Sequence, residues 1–280
     1  MWLSKNNEKD EHIMNIIQIQ VHQLLNKITK KDMIFHGNYT LDPYQNCSFG
    51  CIYCDSTLDD TIYVKINSLD RLEEELPHLS NGRIIIGSVH DPYQPLEKKF
   101  QITHNILNRL SETEFPIHIL TKSTTILKDL PIIKKITNPI VTFTVLGLQE
   151  KLWKTIEPNT PSPLNRLQTM KALADQEITT GIAIIPTLPH FPDQHLKELI
   201  HAAKKYQAAY ILHKPLFLQG EQKQQFLKKI KTAYPEIYKD YNILYQNRPI
   251  IPHKLEDEQT KTIQHLCNTS NIPTSIPLKK

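Results

Sequence analysis

The stretch Ile117-His-Ile-Leu-Thr-Lys-Ser-Thr-Thr-Ile-Leu-Lys-Asp-Leu-Pro-Ile-Ile-Lys-Lys-Ile-Thr-Asn-Pro-Ile-Val-Thr-Phe-Thr-Val145 holds two short apolar runs. The runs, Ile117 to Leu120 and Ile140 to Val145, are rich in β-branched residues, which favour strands. The segment between them, from Ile126 to Ile136, has the apolar spacing of a helix. A strand, a helix and a second strand in this order predict a parallel pair of strands covered by the helix.

The same alternation continues on both sides of this unit. Further strands are predicted at Arg83 to Ile86, Thr180 to Ile185 and Ala209 to His213, and further helices at Lys99 to Leu110, Pro163 to Ala174 and Gln194 to Tyr206. Nearly continuous apolar strands that alternate with helices indicate a parallel sheet with helices on its faces. We therefore predict an α/β fold, a partial TIM barrel of the (β/α)6 type, with its chemistry at the carboxyl ends of the strands.

The two ends of the chain differ from this core. Residues 10–30 carry isoleucines and leucines at spacings of three and four, which predicts an amphipathic helix in an N-terminal extension, 1–33. Residues 216–280 are rich in lysine and glutamine and include a helical pattern from Gln222 to Ala233, so we expect a helical C-terminal extension. The core domain is then 34–215.

Composition places few limits on function. The 33 Lys and Arg exceed the 29 Asp and Glu to give a charge of +4, which is spread along the chain and indicates mainly a solvated surface. No run approaches the roughly 18 to 20 apolar residues of a membrane-spanning helix. The four cysteines do not form a disulfide framework, and no signal segment opens the chain. We expect a soluble, cytoplasmic protein.

Three of the four cysteines lie within eight positions, in Cys47-Ser-Phe-Gly-Cys51-Ile-Tyr-Cys54. Thiolates at i, i+4 and i+7 can hold three irons of a [4Fe-4S] cubane and leave the fourth iron open. The alternative is a zinc site, which a histidine such as His36 would complete. Cys267 is more than 200 residues away and is interpreted as a bystander.

The loop resembles the signature of the radical S-adenosylmethionine (SAM) superfamily, because an aromatic residue, Tyr53, precedes the third cysteine. The resemblance implies that Cys47, Cys51 and Cys54 bind a [4Fe-4S] cluster whose open iron is chelated by SAM. It also implies reductive cleavage of SAM to a 5'-deoxyadenosyl radical that abstracts hydrogen from a substrate, with a flavodoxin- or ferredoxin-type protein as the electron donor.

Further motifs resemble, in order, the spore-photoproduct-lyase-like branch of that superfamily. The similarity covers residues 34–215, which would form the radical SAM core. The motifs are Asp42-Pro-Tyr-Gln-Asn-Cys47, Gly87-Ser-Val-His-Asp-Pro-Tyr-Gln-Pro-Leu-Glu97, Ile119-Leu-Thr-Lys-Ser123, Glu157-Pro-Asn-Thr-Pro-Ser-Pro163 and Ile184-Ile-Pro-Thr-Leu-Pro189.

The resemblance implies SAM contacts at the ends of three strands. Ser88, His90 and Asp91 are expected near the methionine amino group, where the Asp91 carboxylate suits an ammonium. Lys122 is expected beside the methionine carboxylate and Thr144 near the ribose. These residues also have a structural interpretation. His90-Asp91-Pro92 can be a turn that Asp91 caps, Lys122 a surface lysine before a helix, and Thr144 a threonine that packs in a strand.

The backbone around Tyr53 is expected at the edge of the adenine.

One difference from the branch concerns the substrate. Spore photoproduct lyase itself carries an additional cysteine after the second strand as hydrogen donor, and Gly87-Ser-Val-His-Asp91 contains none. Repair of a spore thymine lesion is therefore not predicted.

The sequence accordingly predicts a lyase-like radical SAM enzyme whose substrate it does not identify, with nucleic acid as the candidate class. The alternative is a non-enzymatic, zinc-stabilised module that binds nucleic acid. A maturase of a peptide or partner enzyme is a third hypothesis, but the sequence offers no peptide-binding extension or second cluster motif in its support.

Overall fold

The computed structural model describes residues 14–277, which form two sheets and a layer of helices. The strands are β1 (Asn15–Ile19), β2 (Leu25–Lys27), β3 (Tyr39–Leu41), β4 (Tyr44–Gln45), β5 (Thr61–Lys65), β6 (Ile84–Ile86), β7 (Ile117–Thr121), β8 (Ile140–Thr144), β9 (Thr179–Thr187) and β10 (Ile211–Pro215). The helices are α1 (Ser68–Glu75), α2 (Glu97–Phe100), α3 (Ile102–Leu110), α4 (Leu130–Ile133), α5 (Glu150–Ile156), α6 (Pro163–Ala174), α7 (Asp193–Lys205), α8 (Gly220–Ala233), α9 (Pro235–Leu244) and α10 (His253–Thr269). Of the helices in this part of the chain, none combines the length and the apolar character that crossing a membrane requires.

The larger sheet has the order β10-β9-β8-β7-β6-β3-β2 over the described residues. All neighbouring pairs from β3 to β10 are parallel, and β2 is antiparallel to β3. Six parallel strands with helical crossovers confirm the predicted α/β fold and partial barrel. The sheet does not close, because β10 and β2 form its two edges.

Strand burial explains why these segments form the barrel. Every residue of β6 is buried, as are four of the five residues in each of β7 and β8. Strands that are covered on both faces read as continuous β-branched runs, which is why the sequence indicates them. Because the strands are parallel, their carboxyl ends meet at one end of the barrel, where the segments that follow β3, β6, β7 and β8 come together.

The smaller sheet, in the order β1-β5-β4, supports the cysteine loop. β4 ends two residues before Cys47, and β5 begins at Thr61, so the three cysteines lie on the connection between two antiparallel strands. The segment before Thr61 has one short 3-10 turn, Asp55–Leu58.

The amphipathic helix predicted over residues 10–30 is wrong for the part that the structure describes. Residues 14–30 form β1 and β2, and β1 pairs in parallel with β5 from Asn15 opposite Thr61 to Ile19 opposite Lys65. Ile16 and Ile17 are each 45% exposed, so they do not form the buried stripe of a helix. β-Branched residues also favour strands, and the tertiary pairing with β5 determined the outcome. Residues 10–13 of the prediction lie outside the described residues.

The C-terminal helices make two different contacts. Helices α8 and α9 form an apolar cluster with residues after β8 and β10, which includes Leu146, Leu216, Phe226 and Tyr241. Helix α10 instead packs on the main core and buries Ile263 and Cys267 completely. Cys267 therefore lies in a different core from the three clustered cysteines.

Candidate active site

The cysteine loop turns sharply at two left-handed residues, Asn46 with φ of 65° and Gly50 with φ of 63°. The Asn46 side chain donates to the Thr61 carbonyl (2.8 Å) and to Asp59 (3.0 Å), which ties the start of the loop to β5. A Cβ at Gly50 would lie 3.1 Å from Nδ2 of Asn159. Glycine therefore fits both the backbone conformation and the close approach of the neighbouring segment.

The three thiols occupy one apolar cluster with Phe49 and Tyr53. Cys47 and Cys51 are buried and Cys54 is partly exposed. Burial raises the pKa of Cys51 to about 12, although nearby Lys122 opposes this shift. Burial also raises the pKa of Cys47 well above its usual range. The backbone N–H groups of Phe49 and Asp91 oppose this shift.

These observations fit the cluster that the resemblance implies. Metal binding deprotonates thiols, and bound iron supplies the positive charge that a buried thiolate requires. N–H donors and Lys122 already favour the charged form of the sulfurs. The hydroxyl of Ser48, in the same loop, is buried without a hydrogen-bond partner. Among residues 14–277, no three His, Cys, Asp or Glu side chains are placed to hold a single metal ion.

A cavity of about 190 Å³ opens at the carboxyl ends of β6, β7 and β8. Four of the predicted SAM contacts line it: Ser88, Asp91, Lys122 and Thr144. The other two, Tyr53 and His90, are not among its lining residues. Tyr53 nevertheless lies beside Lys122, whose Nζ is 5.7 Å from the centroid of the tyrosine ring. The structure therefore brings the cysteine loop and the strand-end residues together at one place.

Asp91 is the best-anchored of these residues. One carboxylate oxygen accepts from the Tyr93 N–H (2.9 Å) and the Thr121 hydroxyl (2.7 Å), and the other accepts from the Lys122 N–H (2.6 Å). Burial raises the pKa of Asp91, while Lys122 and these hydrogen bonds oppose the shift. An ionised carboxylate has about four acceptor sites, so three bonds leave room for one further donor such as an ammonium.

The segment before Asp91 has little conformational freedom. Gly87, directly after β6, has φ of 83°, and a Cβ there would lie 2.5 Å from the Leu120 carbonyl oxygen. Asp42 holds the next residues: it accepts from the Ser88 hydroxyl (3.0 Å) and from the backbone N–H groups of Val89 (3.0 Å) and His90 (3.2 Å). Burial lowers the pKa of the His90 imidazole, although Asp42 opposes the shift.

Lys122 faces several acidic groups. Burial lowers the pKa of Lys122, but Cys51, Glu157 and Asp91 outweigh burial and leave that pKa raised. The lysine therefore keeps its positive charge at the cavity, where it can bind a carboxylate.

A buried ion pair supports the other side of the cysteine loop. Glu157 accepts from the Tyr53 hydroxyl (2.6 Å) and from Arg166 (2.5 Å), and Arg166 also donates to the Thr144 carbonyl (2.8 Å). Tyr53 and Thr144 are thus connected through two charged side chains. Burial raises the pKa of Tyr53 well above its usual range, so the phenol remains a donor to Glu157.

The sequence indicated the cavity residues but not the residues that hold them. Asp42 and Glu157 stood in the motifs without an assigned partner, and Arg166 lay in a predicted helix. Glu157 is 104 positions from Tyr53, and Asp42 is 46 positions from Ser88. The only signal for such pairs was the presence of charged residues in otherwise apolar or proline-rich motifs.

A family model described as the Radical SAM superfamily matches residues 41–203 of the chain. Uncharacterized protein MJ0683 of Methanocaldococcus jannaschii is 30% identical over 209 residues, which cover 72% of this chain and 78% of that protein. Uncharacterized protein Rv2578c of Mycobacterium tuberculosis is 27% identical over 234 residues, or 76% of this chain and 69% of that protein.

Solved structures of spore photoproduct lyase have the same fold. A mutant of that enzyme superposes with a TM-score of 0.71, and the enzyme complexed with dinucleoside spore photoproduct with 0.69. Each match covers 93% of this chain and 80% of the other at 13% identity, so the likeness concerns the fold. It confirms the resemblance to the spore-photoproduct-lyase-like branch at that level. Since the family model spans more than half of the chain, the protein belongs to the radical SAM superfamily.

Proposed function

We propose that this protein is a radical SAM enzyme that binds a [4Fe-4S] cluster through Cys47, Cys51 and Cys54. The observation that carries the proposal is the position of the three thiols in one loop beside a cavity lined by Asp91, Lys122 and other strand-end residues. When bound and reduced, the cluster supplies the electron that cleaves SAM into methionine and a 5'-deoxyadenosyl radical.

The residues around the cavity would bind and orient SAM. We assign the methionine amino group to the free acceptor site of Asp91, with Ser88 and His90 on the same segment. We assign the methionine carboxylate to Lys122, the ribose to Thr144 and the adenine edge to the backbone around Tyr53. The hydrogen bonds to Asp91 and the Glu157–Arg166 pair support this assignment, because they fix the geometry before any ligand binds.

We propose nucleic acid as the substrate class and a cytoplasmic location. The fold shared with spore photoproduct lyase, which has been solved in complex with dinucleoside spore photoproduct, supports a nucleic acid. The segment Gly87-Ser-Val-His-Asp91 has no cysteine, so the reaction of that enzyme is not assigned to this chain. We propose a flavodoxin- or ferredoxin-type protein as the electron donor. A cavity of about 480 Å³ is lined by Cys47, Ser48 and Gly50 among others, and we assign to it the side from which such a donor would approach.

Anaerobic reconstitution tests the proposal. The wild-type protein should bind about four irons and four sulfides and should release 5'-deoxyadenosine with dithionite and SAM. Cys51→Ala should abolish the release of 5'-deoxyadenosine and reduce the iron content.

Cys267→Ala is the matched control, because that thiol lies in another core, and it should retain both signals. A folded wild-type protein that binds zinc tightly and builds no cluster would overturn the proposal and favour the zinc-stabilised module. Membership of the radical SAM superfamily supports the cluster instead.

A further inference from the structure

Gln94 connects the segment after β6 to the cysteine loop. Its side chain is completely buried. Nε2 donates to the Asn46 carbonyl (3.0 Å), and Oε1 accepts from the Ser48 N–H (3.2 Å). The two backbone groups that the amide binds therefore lie on either side of Cys47.

The segment that carries Gln94 is itself fixed at both ends. Asp91, at its start, binds Thr121 and the backbone of Lys122 at the end of β7. Glu97, at its end, is buried and accepts from the Tyr44 hydroxyl (2.5 Å) and the Thr103 N–H (3.0 Å). Gln94 therefore holds the cysteine loop against a rigid part of the barrel.

Cys47 lies between the two backbone groups that Gln94 binds, and it is buried in a cluster with Phe49 and Cys51. A shift of the loop relative to the segment would displace the Cys47 sulfur and open this cluster to solvent. Hydrogen bonds to the sulfurs and solvent exposure both affect the reduction potential of an iron-sulfur cluster. The position of Cys47 thus affects both cluster binding and the ease of reduction.

We propose that Gln94 is a positioning residue that fixes the place of Cys47 in the loop. The effect on the cluster rests on the function proposed above, whereas the effect on the thiol is a property of the protein without metal. Gln94 is not a ligand and does not react. It acts through the backbone of Asn46 and Ser48.

Gln94→Met tests the proposal, because methionine has a similar size and makes neither hydrogen bond. In the metal-free protein, alkylation of Cys47 by iodoacetamide should become about tenfold faster, since two hydrogen bonds that hold the loop closed are lost. Mass spectrometry of the digested protein reports each cysteine separately. Cys267, which is completely buried in α10, serves as the internal reference and should not change.

In the reconstituted protein, Gln94→Met should shift the reduction potential of the cluster, as measured by electron paramagnetic resonance during redox titration. The matched control is Gln222→Met, which also removes a buried amide that accepts from a backbone N–H, that of Gln219. It should change neither the alkylation rate of Cys47 nor the potential. If Gln94→Met does not fold, Gln94→Asn keeps the amide but is one methylene too short to bind both groups, and it should show the same changes to a smaller degree.

The outcomes separate this inference from the proposed function. A folded Gln94 variant with wild-type alkylation of Cys47 and a wild-type potential overturns the positioning role, although the enzyme proposal stands. A wild-type protein that builds no cluster refutes the proposed function. The alkylation experiment then still decides whether Gln94 holds the loop.

Discussion

Arg166 is a charged side chain with no exposed surface, and all its contacts lie near the candidate active site. It pairs with Glu157 at 2.5 Å and donates to the carbonyl groups of Thr144 and Pro161, each at 2.8 Å. Burial of a guanidinium and a carboxylate carries a large desolvation cost, which only good geometry and additional hydrogen bonds offset. The presence of the pair is therefore weak evidence for a stabilised fold. It is stronger evidence that the position of Tyr53 is tightly controlled, because the Tyr53 hydroxyl donates to Glu157.

We predict that Arg166→Met destabilises the protein by about 3–5 kcal/mol, because it leaves the Glu157 carboxylate buried without its cation. Urea unfolding of the metal-free protein measures the free energy of unfolding. Arg71→Met is the control: its pair with Glu74 is exposed (28% and 59%) and should contribute at most about 1 kcal/mol.

A double variant, Arg166→Met with Glu157→Gln, should recover part of the loss because no uncompensated charge remains. Equal destabilisation by Arg166→Met and Arg71→Met would contradict the assignment of a buried, coupled pair.

Side chains from β7, from β8 and from the residue before β10 share one polar network, which passes across β9. His118 on β7 lies 2.6 Å from the hydroxyl of Thr142 on β8, which is 2.6 Å from the hydroxyl of Tyr210, just before β10. All three side chains are buried. Burial lowers the pKa of His118 to about 3, so the imidazole is neutral in the folded protein at physiological pH.

We predict that His118 makes folding sensitive to mild acid. In the unfolded chain a histidine has a pKa near 6.5, so below this pH the unfolded state binds a proton that the folded state does not. The contribution of the neutral His118 to the free energy of unfolding is fully present above about pH 6.5 and is lost as the pH falls towards 3. The loss between pH 7 and pH 5 is about 2 kcal/mol.

Urea unfolding at pH 7, 6 and 5 measures this loss. His118→Gln should lack it, whereas a change at the exposed His265 should leave it unchanged. A variant His118→Gln with the wild-type dependence on pH would refute a neutral, buried imidazole.

The strands also show how much of the fold the sequence could predict. The strands β6 to β10 and the helix α6 were predicted within two residues at each end, because β-branched runs and a clear helical period mark them. β3 has only three residues, Tyr39–Leu41, and gave no such signal. The isoleucines before residue 30 matched a helical spacing but pair with β5, a contact that local spacing does not contain.

The residues of the candidate site also differ in whether the sequence alone could indicate them. The spacing of Cys47, Cys51 and Cys54, the proposed cluster ligands, is local and could be recognised in the sequence. Gln94, Glu157 and Arg166 act through partners in distant segments, and a single sequence does not record those pairings. The assigned SAM contacts remain predictions, although four of them line one cavity.

The segment after α10 lies along one edge of the open barrel. The N–H of Ile211, at the start of the edge strand β10, donates to the carbonyl of Pro273 at 2.9 Å. Ile276 is buried against Tyr210 and Leu212, in a cluster that also includes Phe35 from the segment before β3. The segment after α10 and the segment before β3 thus meet beside the edge strand β10.

We predict that deletion of residues 272–280 destabilises the protein by about 3–6 kcal/mol, because two buried isoleucines, Ile272 and Ile276, are lost. The exposed edge of β10 should also promote self-association, which sedimentation velocity detects. Deletion of residues 278–280 alone is the control and should have little effect. A shortened chain that remains monomeric and equally stable would show that this segment does not protect the edge.

The distance along the chain between the cysteine loop and this covering segment has a consequence for biosynthesis. Residues 272–276 leave the ribosome more than 200 residues after Cys54. At typical rates of translation this interval is roughly 10 to 40 seconds. The strands β6 to β10 are made during that time, so the three thiols are synthesised before the barrel that surrounds them. On the function proposed above, these thiols must therefore stay reduced over this interval before a cluster is inserted.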